Sequence, residues 1–120
     1  QGLLARMWEL PHVEIEQKLD IKQALDLERV YIERIRETLK EELHMETSIM
    51  QDPWLTDVEH TFSHLRWYMK VYRLEAKQNL PAELLDRGTY RWIRFDEIKE
   101  FAFPKAFLTI LRAALDREQT

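Results

Sequence analysis

"LTDVEHTFSHLRWYMKVYR", residues 55–73, decides how this chain is built. From Leu65 to Arg73 the alternation is strict. Leu65, Trp67, Met69 and Val71 fall on one face of an extended strand, and Arg66, Tyr68, Lys70 and Tyr72 on the other. The residues before it, Leu55 to Thr61, read as a second strand, with a further short candidate at Glu46 to Met50. Phe62-Ser63-His64 lies between the arms, so the segment reads as an antiparallel hairpin. Its tip carries neither glycine nor asparagine, the residues that tight turns favour. Two imidazoles, His60 and His64, and the Ser63 hydroxyl stand where a plain turn would suffice.

On the N-terminal side, "DLERVYIERIRETLKEELHM" (26–45) carries the strongest helical pattern. Leu27, Tyr31, Ile35, Leu39 and Leu43 recur every four residues, Val30 and Ile32 lie beside them, and Asp26 is a plausible N-cap. Earlier still, Leu4 to Leu10 reads as a strand stopped by Pro11. Towards the C-terminus, "KQNLPAELLDRGT" (77–89) is a surface connection and "YRWIRF" (90–95) a further strand. "DEIKEF" follows as a short helix capped by Asp96. "PKAFLTILRAALDR" (104–117) is a helix with Pro104 in its first turn and Phe107, Ile110, Leu111 and Ala114 on one face. Strand, helix, antiparallel strands, then two helices suggest an α/β (α+β) sandwich with a mixed sheet. The chain opens mid-pattern at Gln1, as expected of a single domain, 1–120, within a longer protein.

Composition narrows the chemistry. With 120 residues, 45% hydrophobic and 33% charged, the chain suits one soluble globular domain. It contains no cysteine, which excludes disulfides and thiolate-held zinc or iron–sulfur clusters within it. No run of 18 apolar residues occurs, so no membrane association is expected. A nonspecific DNA binder draws most of its affinity from neutralised phosphates and is normally basic. This chain has a net charge of −4, so any DNA contact must come from a locally basic element or a neighbouring domain.

Ser63 beside His64 invites a nucleophile–base reading, but adjacent strand residues point to opposite faces and no Gly-x-Ser-x-Gly elbow is present. His60 and His64 have the i, i+4 spacing of a helical metal pair, yet they fall in strand and turn with no third ligand nearby. Trp67 and Trp92 are expected in the core. His60, Arg66 and Lys70 are the best phosphate contacts that this acidic chain offers.

"WELP" (8–11) and "LKEEL" (39–43) partly resemble the Nudix hydrolases, whose helix carries Arg-Glu, two intervening residues, Glu-Glu, one more residue and glycine. In those enzymes the paired carboxylates hold magnesium. Here Glu41 and Glu42 match the pair, but Glu37 and Thr38 replace Arg-Glu and His44 replaces the glycine. The resemblance implies a Nudix-like α/β/α sandwich with a degenerate helix not expected to bind metal, since hard cations need more anionic oxygens than remain.

Three segments then converge. "GLLARMWELP", "HTFSHLRW" and "WIRFDEIKEFAFPKAFLTIL" resemble the C-terminal domain of the A/G-specific adenine DNA glycosylases, the MutY family. That resemblance implies a module that reads 8-oxoguanine opposite adenine in double-stranded DNA during base excision repair. It would act with an N-terminal glycosylase domain that supplies the catalysis and an iron–sulfur cluster, so no catalytic residue or cofactor is expected in this chain. The family's recognition motif falls on Phe62, Ser63 and His64. The family's first domain strand would lie before Gln1, leaving the N-terminal strand truncated, and a cytoplasmic, nucleoid-associated setting is implied. Two other readings stay open: a degenerate Nudix nucleotide hydrolase, and a protein-interaction module of a repair complex.

Overall fold

A computed structural model describes residues 7–15 and 27–119. The elements run α1 (Leu27–Leu43), β1 (Thr47–Phe62), β2 (Leu65–Ala76), α2 (Ala82–Asp86), a 3-10 helix (Phe95–Glu100) and α3 (Lys105–Glu118). This is a mixed α+β arrangement. Two compact units share the chain: Gln1–Leu10, Ile49–Arg73 and Trp92–Thr120 in one, Pro11–Ser48 and Leu74–Arg91 in the other.

The first unit is organised by α3. Phe107, Ile110 and Leu111 recur at the three- and four-residue spacing of one helical face, and all three are buried together with Phe103. Val58, Met69 and Val71 of the hairpin pack against this cluster, as do Trp8, Ile93 and Ile98. Pro104 sits one position earlier than expected. It is the N-cap of α3, and its carbonyl accepts from the Phe107 and Leu108 amides at 3.0 and 3.1 Å.

The second unit centres on the C-terminal end of α1. Leu43 and Met45 are buried with Leu80, and Leu39, Leu84, Leu85 and Tyr90 pack around them. Residues 77–89, expected as a surface connection, therefore contribute a core residue and the single turn of α2. Arg36 joins α1 to the chain that follows it. Its guanidinium donates to the Thr47 carbonyl at 2.8 Å and the Thr47 hydroxyl at 3.3 Å, while bonding Glu33 at 2.8 Å. That arrangement satisfies the buried Thr47. The Asp26 cap lies outside the described residues.

Several local expectations give way. Thr47–Phe62 forms one long strand where two short ones were expected. Among the described residues the sheet has only the strands β1 and β2, so a mixed sheet does not appear. Residues 4–6 of the expected first strand lie outside the described residues, and 7–10 are irregular. Trp8 nevertheless docks: its amide donates to the Ala102 carbonyl at 2.8 Å, and its ring meets Phe101 edge-on at 6.0 Å. Residues 90–94 are irregular too, and Trp92, expected in the core, is 51% exposed. The helix after it is 3-10 in type. Its N-cap amide, from Arg94, is satisfied by the Glu97 carboxylate at 2.9 Å rather than by Asp96, which instead pairs with the Arg94 guanidinium.

β1 is irregular at one point. Asp52 takes a left-handed φ of 52° and Pro53 follows it, the pattern of a bulge. The Arg73 guanidinium closes over the site, donating to the Asp52 carbonyl at 3.1 Å.

Candidate functional site

The hairpin closes through two residues, Ser63 and His64, between the end of β1 and the start of β2. Ser63 has φ 53°, whereas His64 keeps a negative φ. Positive φ at the first central position alone is the pattern of a II′ turn, whose first position is normally glycine. A side chain in that region costs roughly 1–2 kcal/mol. Both residues are exposed, so the strained backbone presents a hydroxyl and an imidazole to solvent.

A two-residue turn also fixes the register. Phe62 lies opposite Leu65, Glu59 opposite Tyr68 and Asp57 opposite Lys70. The inward face follows the alternation read from the sequence: Val58, Met69 and Val71 join the core and Trp67 is half-buried. Leu65 departs from it. Next to the turn it has outrun the core and is 64% exposed. His60 is half-buried and engaged within the protein, which separates it from the exposed Ser63 and His64.

On the outward face stand Arg66, Tyr68 and Lys70, all exposed. Of the three expected phosphate contacts, the two cations are not idle. Arg66 Nε lies 3.0 Å from Glu59 Oε1, and Lys70 Nζ lies 2.8 Å from Asp57 Oδ2. Asp57 is held at both oxygens, because Trp54 Nε1 donates to its Oδ1 at 2.9 Å. The Lys70 hydrogen bond, and after it the Trp54 one, hold the Asp57 carboxyl below its ordinary range. A hydrogen bond to the Tyr68 side chain, with the charge of Glu59, raises the already high basicity of Arg66. Glu59, Asp57 and Trp54 were not singled out by sequence reasoning. Counting residues outward from the turn would have found Asp57 opposite Lys70.

The other candidate is the end of α1. Glu41 and Glu42 are exposed on its last turn. Thr38, where the hydrolase helix has its first glutamate, donates its hydroxyl to the Arg34 carbonyl at 2.9 Å. The donor set therefore lacks the first glutamate of the hydrolase helix, which leaves fewer anionic oxygens than a magnesium site takes. Among the described residues no three His, Cys, Asp or Glu side chains gather as metal ligands would. One part of the pattern survives in the backbone. His44, at the glycine position, takes φ 52°, and the next amide, of Met45, turns back to the Leu39 carbonyl at 3.2 Å. The helix keeps the left-handed ending that glycine usually provides, with a histidine in it.

A family model described as NUDIX domain matches residues 1–113. Together with the α+β fold and the helix carrying Glu41 and Glu42, this places the chain in the NUDIX domain family. No solved structure matches the chain. No helix among the described residues is long and apolar enough to cross a membrane.

Proposed function

We propose that this NUDIX domain is a non-catalytic lesion reader, whose hairpin tip Phe62-Ser63-His64 contacts 8-oxoguanine opposite adenine in duplex DNA. The observation that carries the reading is Ser63: a serine in a glycine-like conformation, exposed at a two-residue turn. Strain retained at an exposed tip argues for a use of the side chain, since glycine would close the same turn more cheaply. The resemblance of "HTFSHLRW" to the adenine glycosylases supplies the ligand.

The chemistry is consistent with that ligand. Oxidation at C8 converts the guanine N7 from an acceptor into an N–H donor. The Ser63 hydroxyl can accept from that donor, but it can also donate to the N7 of ordinary guanine. Discrimination therefore requires turn backbone groups fixed beside the hydroxyl. One such contact contributes about 1–3 kcal/mol between bases. His64, exposed beside it, is placed to meet a base edge or a phosphate. Alone, an acidic chain with its hairpin cations paired should bind DNA weakly, and the glycosylase domain would supply the remaining affinity.

The test joins the chain to such a glycosylase domain and compares 8-oxoguanine:adenine with guanine:adenine duplexes. Phe62→Ala with Ser63→Ala should lower the preference by about tenfold, the lower half of the range for one base contact. An unchanged preference sinks the role of the tip.

Family membership alone favours a second reading, magnesium-dependent nucleotide hydrolysis. It requires turnover that disappears in Glu41→Gln and Glu42→Gln. The donor set at α1 argues against it.

A further inference from the structure

We propose that Glu59 and Asp57 make this hairpin selective by occupying its two outward cations, so that the DNA backbone is contacted weakly and the tip decides binding. The inference rests on the DNA-reading function proposed above. Arg66, Tyr68 and Lys70 alternate along the outward face of β2, an aromatic ring between two positive charges. By residue type this is a surface for phosphates and stacked bases. Its charge, however, is cancelled from across the ladder by Glu59 at 3.0 Å and Asp57 at 2.8 Å. All four side chains are about half exposed or more, so the pairs are weak and open to exchange with phosphate.

Exchange has a consequence for specificity. Each cation that moves to a phosphate leaves a carboxylate unpaired beside the polyanion. Sequence-independent contacts are therefore penalised, while contacts at Ser63 and His64 are not. The two pairs are also unequal. Asp57 is locked by Trp54 as well as Lys70, whereas Glu59 holds Arg66 through one contact. Lys70 is the more firmly withheld cation, so removing Asp57 should release more binding than removing Glu59.

Fluorescence anisotropy with guanine:cytosine, guanine:adenine and 8-oxoguanine:adenine duplexes, titrated with salt, tests this on the 120-residue chain. Asp57→Asn with Glu59→Gln should bind the guanine:cytosine duplex about three- to tenfold more tightly at low salt. The slope of log K against log salt should steepen by about 1–2. Adding Arg66→Gln and Lys70→Gln should erase both gains. Glu83→Gln with Asp86→Asn, an equal change of charge at α2, should give a much smaller effect. Equal gains from that α2 variant, or an unchanged slope in the hairpin variant, overturn the proposal. A steeper slope in a protein that never separates 8-oxoguanine:adenine from guanine:adenine supports the masking of the cations and removes the lesion reading instead.

Discussion

Two side chains sit where glycine is the ordinary choice, and for only one of them does the proposed function add a second effect of substitution. His44 ends α1 at φ 52° and Ser63 opens the hairpin turn at φ 53°. His44→Gly should raise stability by about 0.5–1 kcal/mol in urea unfolding, because the left-handed cap loses its Cβ penalty. Ser63→Gly should stabilise by a similar amount, and under the proposed function it should also lower the preference for 8-oxoguanine. Stability gained without loss of preference would show Ser63 to be incidental. Neither conformation was legible in the residues themselves. Serine carries no signal for positive φ, and histidine only a weak one. The sequence marked these positions only by what was missing, namely the glycine of the hydrolase helix at His44 and the glycine or asparagine of a turn at Ser63.

At the scale of elements, the hairpin and the two long helices were readable because each has an apolar face with a clear period. The alternation Trp67, Met69, Val71 meets the core as expected, and so does the set Phe107, Ile110, Leu111 on α3. The expectation failed where periodicity outlasted the core. Leu65 continues the apolar face of β2 but lies too near the turn to be covered. Trp92 was placed inside on residue type alone and is half exposed. The cross-strand pairs escaped notice because pairing depends on turn length, which alternation does not state. They also give the hairpin a dependence on acid. Asp57 titrates below its ordinary range when folded, so its contribution is present above the unfolded carboxylate pKa and fades as pH falls through the folded value. Its exposure limits the effect to about 0.5 kcal/mol. Thermal melts from pH 6 down to 3 should therefore show a slightly smaller acid loss in Asp57→Asn than in the parent chain.

For the whole molecule, the class of fold was legible and the extent of the sheet was not. Short extended runs such as residues 90–95 have strand-like composition, but whether they pair is decided by which edges are within reach, a tertiary matter. The core of the first unit is carried chiefly by α3. Phe107→Ala should cost about 3–5 kcal/mol in denaturant unfolding, since its ring is buried among Phe103, Ile110 and Leu111. A loss below 1 kcal/mol would mean that the cluster has little part in stability. Exposed changes such as Glu83→Gln should stay within about 0.5 kcal/mol.

The irregularity in β1 has a bearing on how copies of this chain behave in a crowded solution. A strand of 16 residues ordinarily offers a neighbour a long row of free amides and carbonyls, the template from which fibrils grow. Asp52 takes a left-handed backbone within that row and Pro53 removes a donor from it, so the row is not regular along its length. Replacing Pro53 with valine would restore the missing amide and lengthen the continuous stretch. Sedimentation and thioflavin fluorescence should then report self-association at concentrations where the parent chain stays dispersed. In that outcome Asp52 and Pro53, besides shaping β1, would guard the chain against polymerising through its own edge.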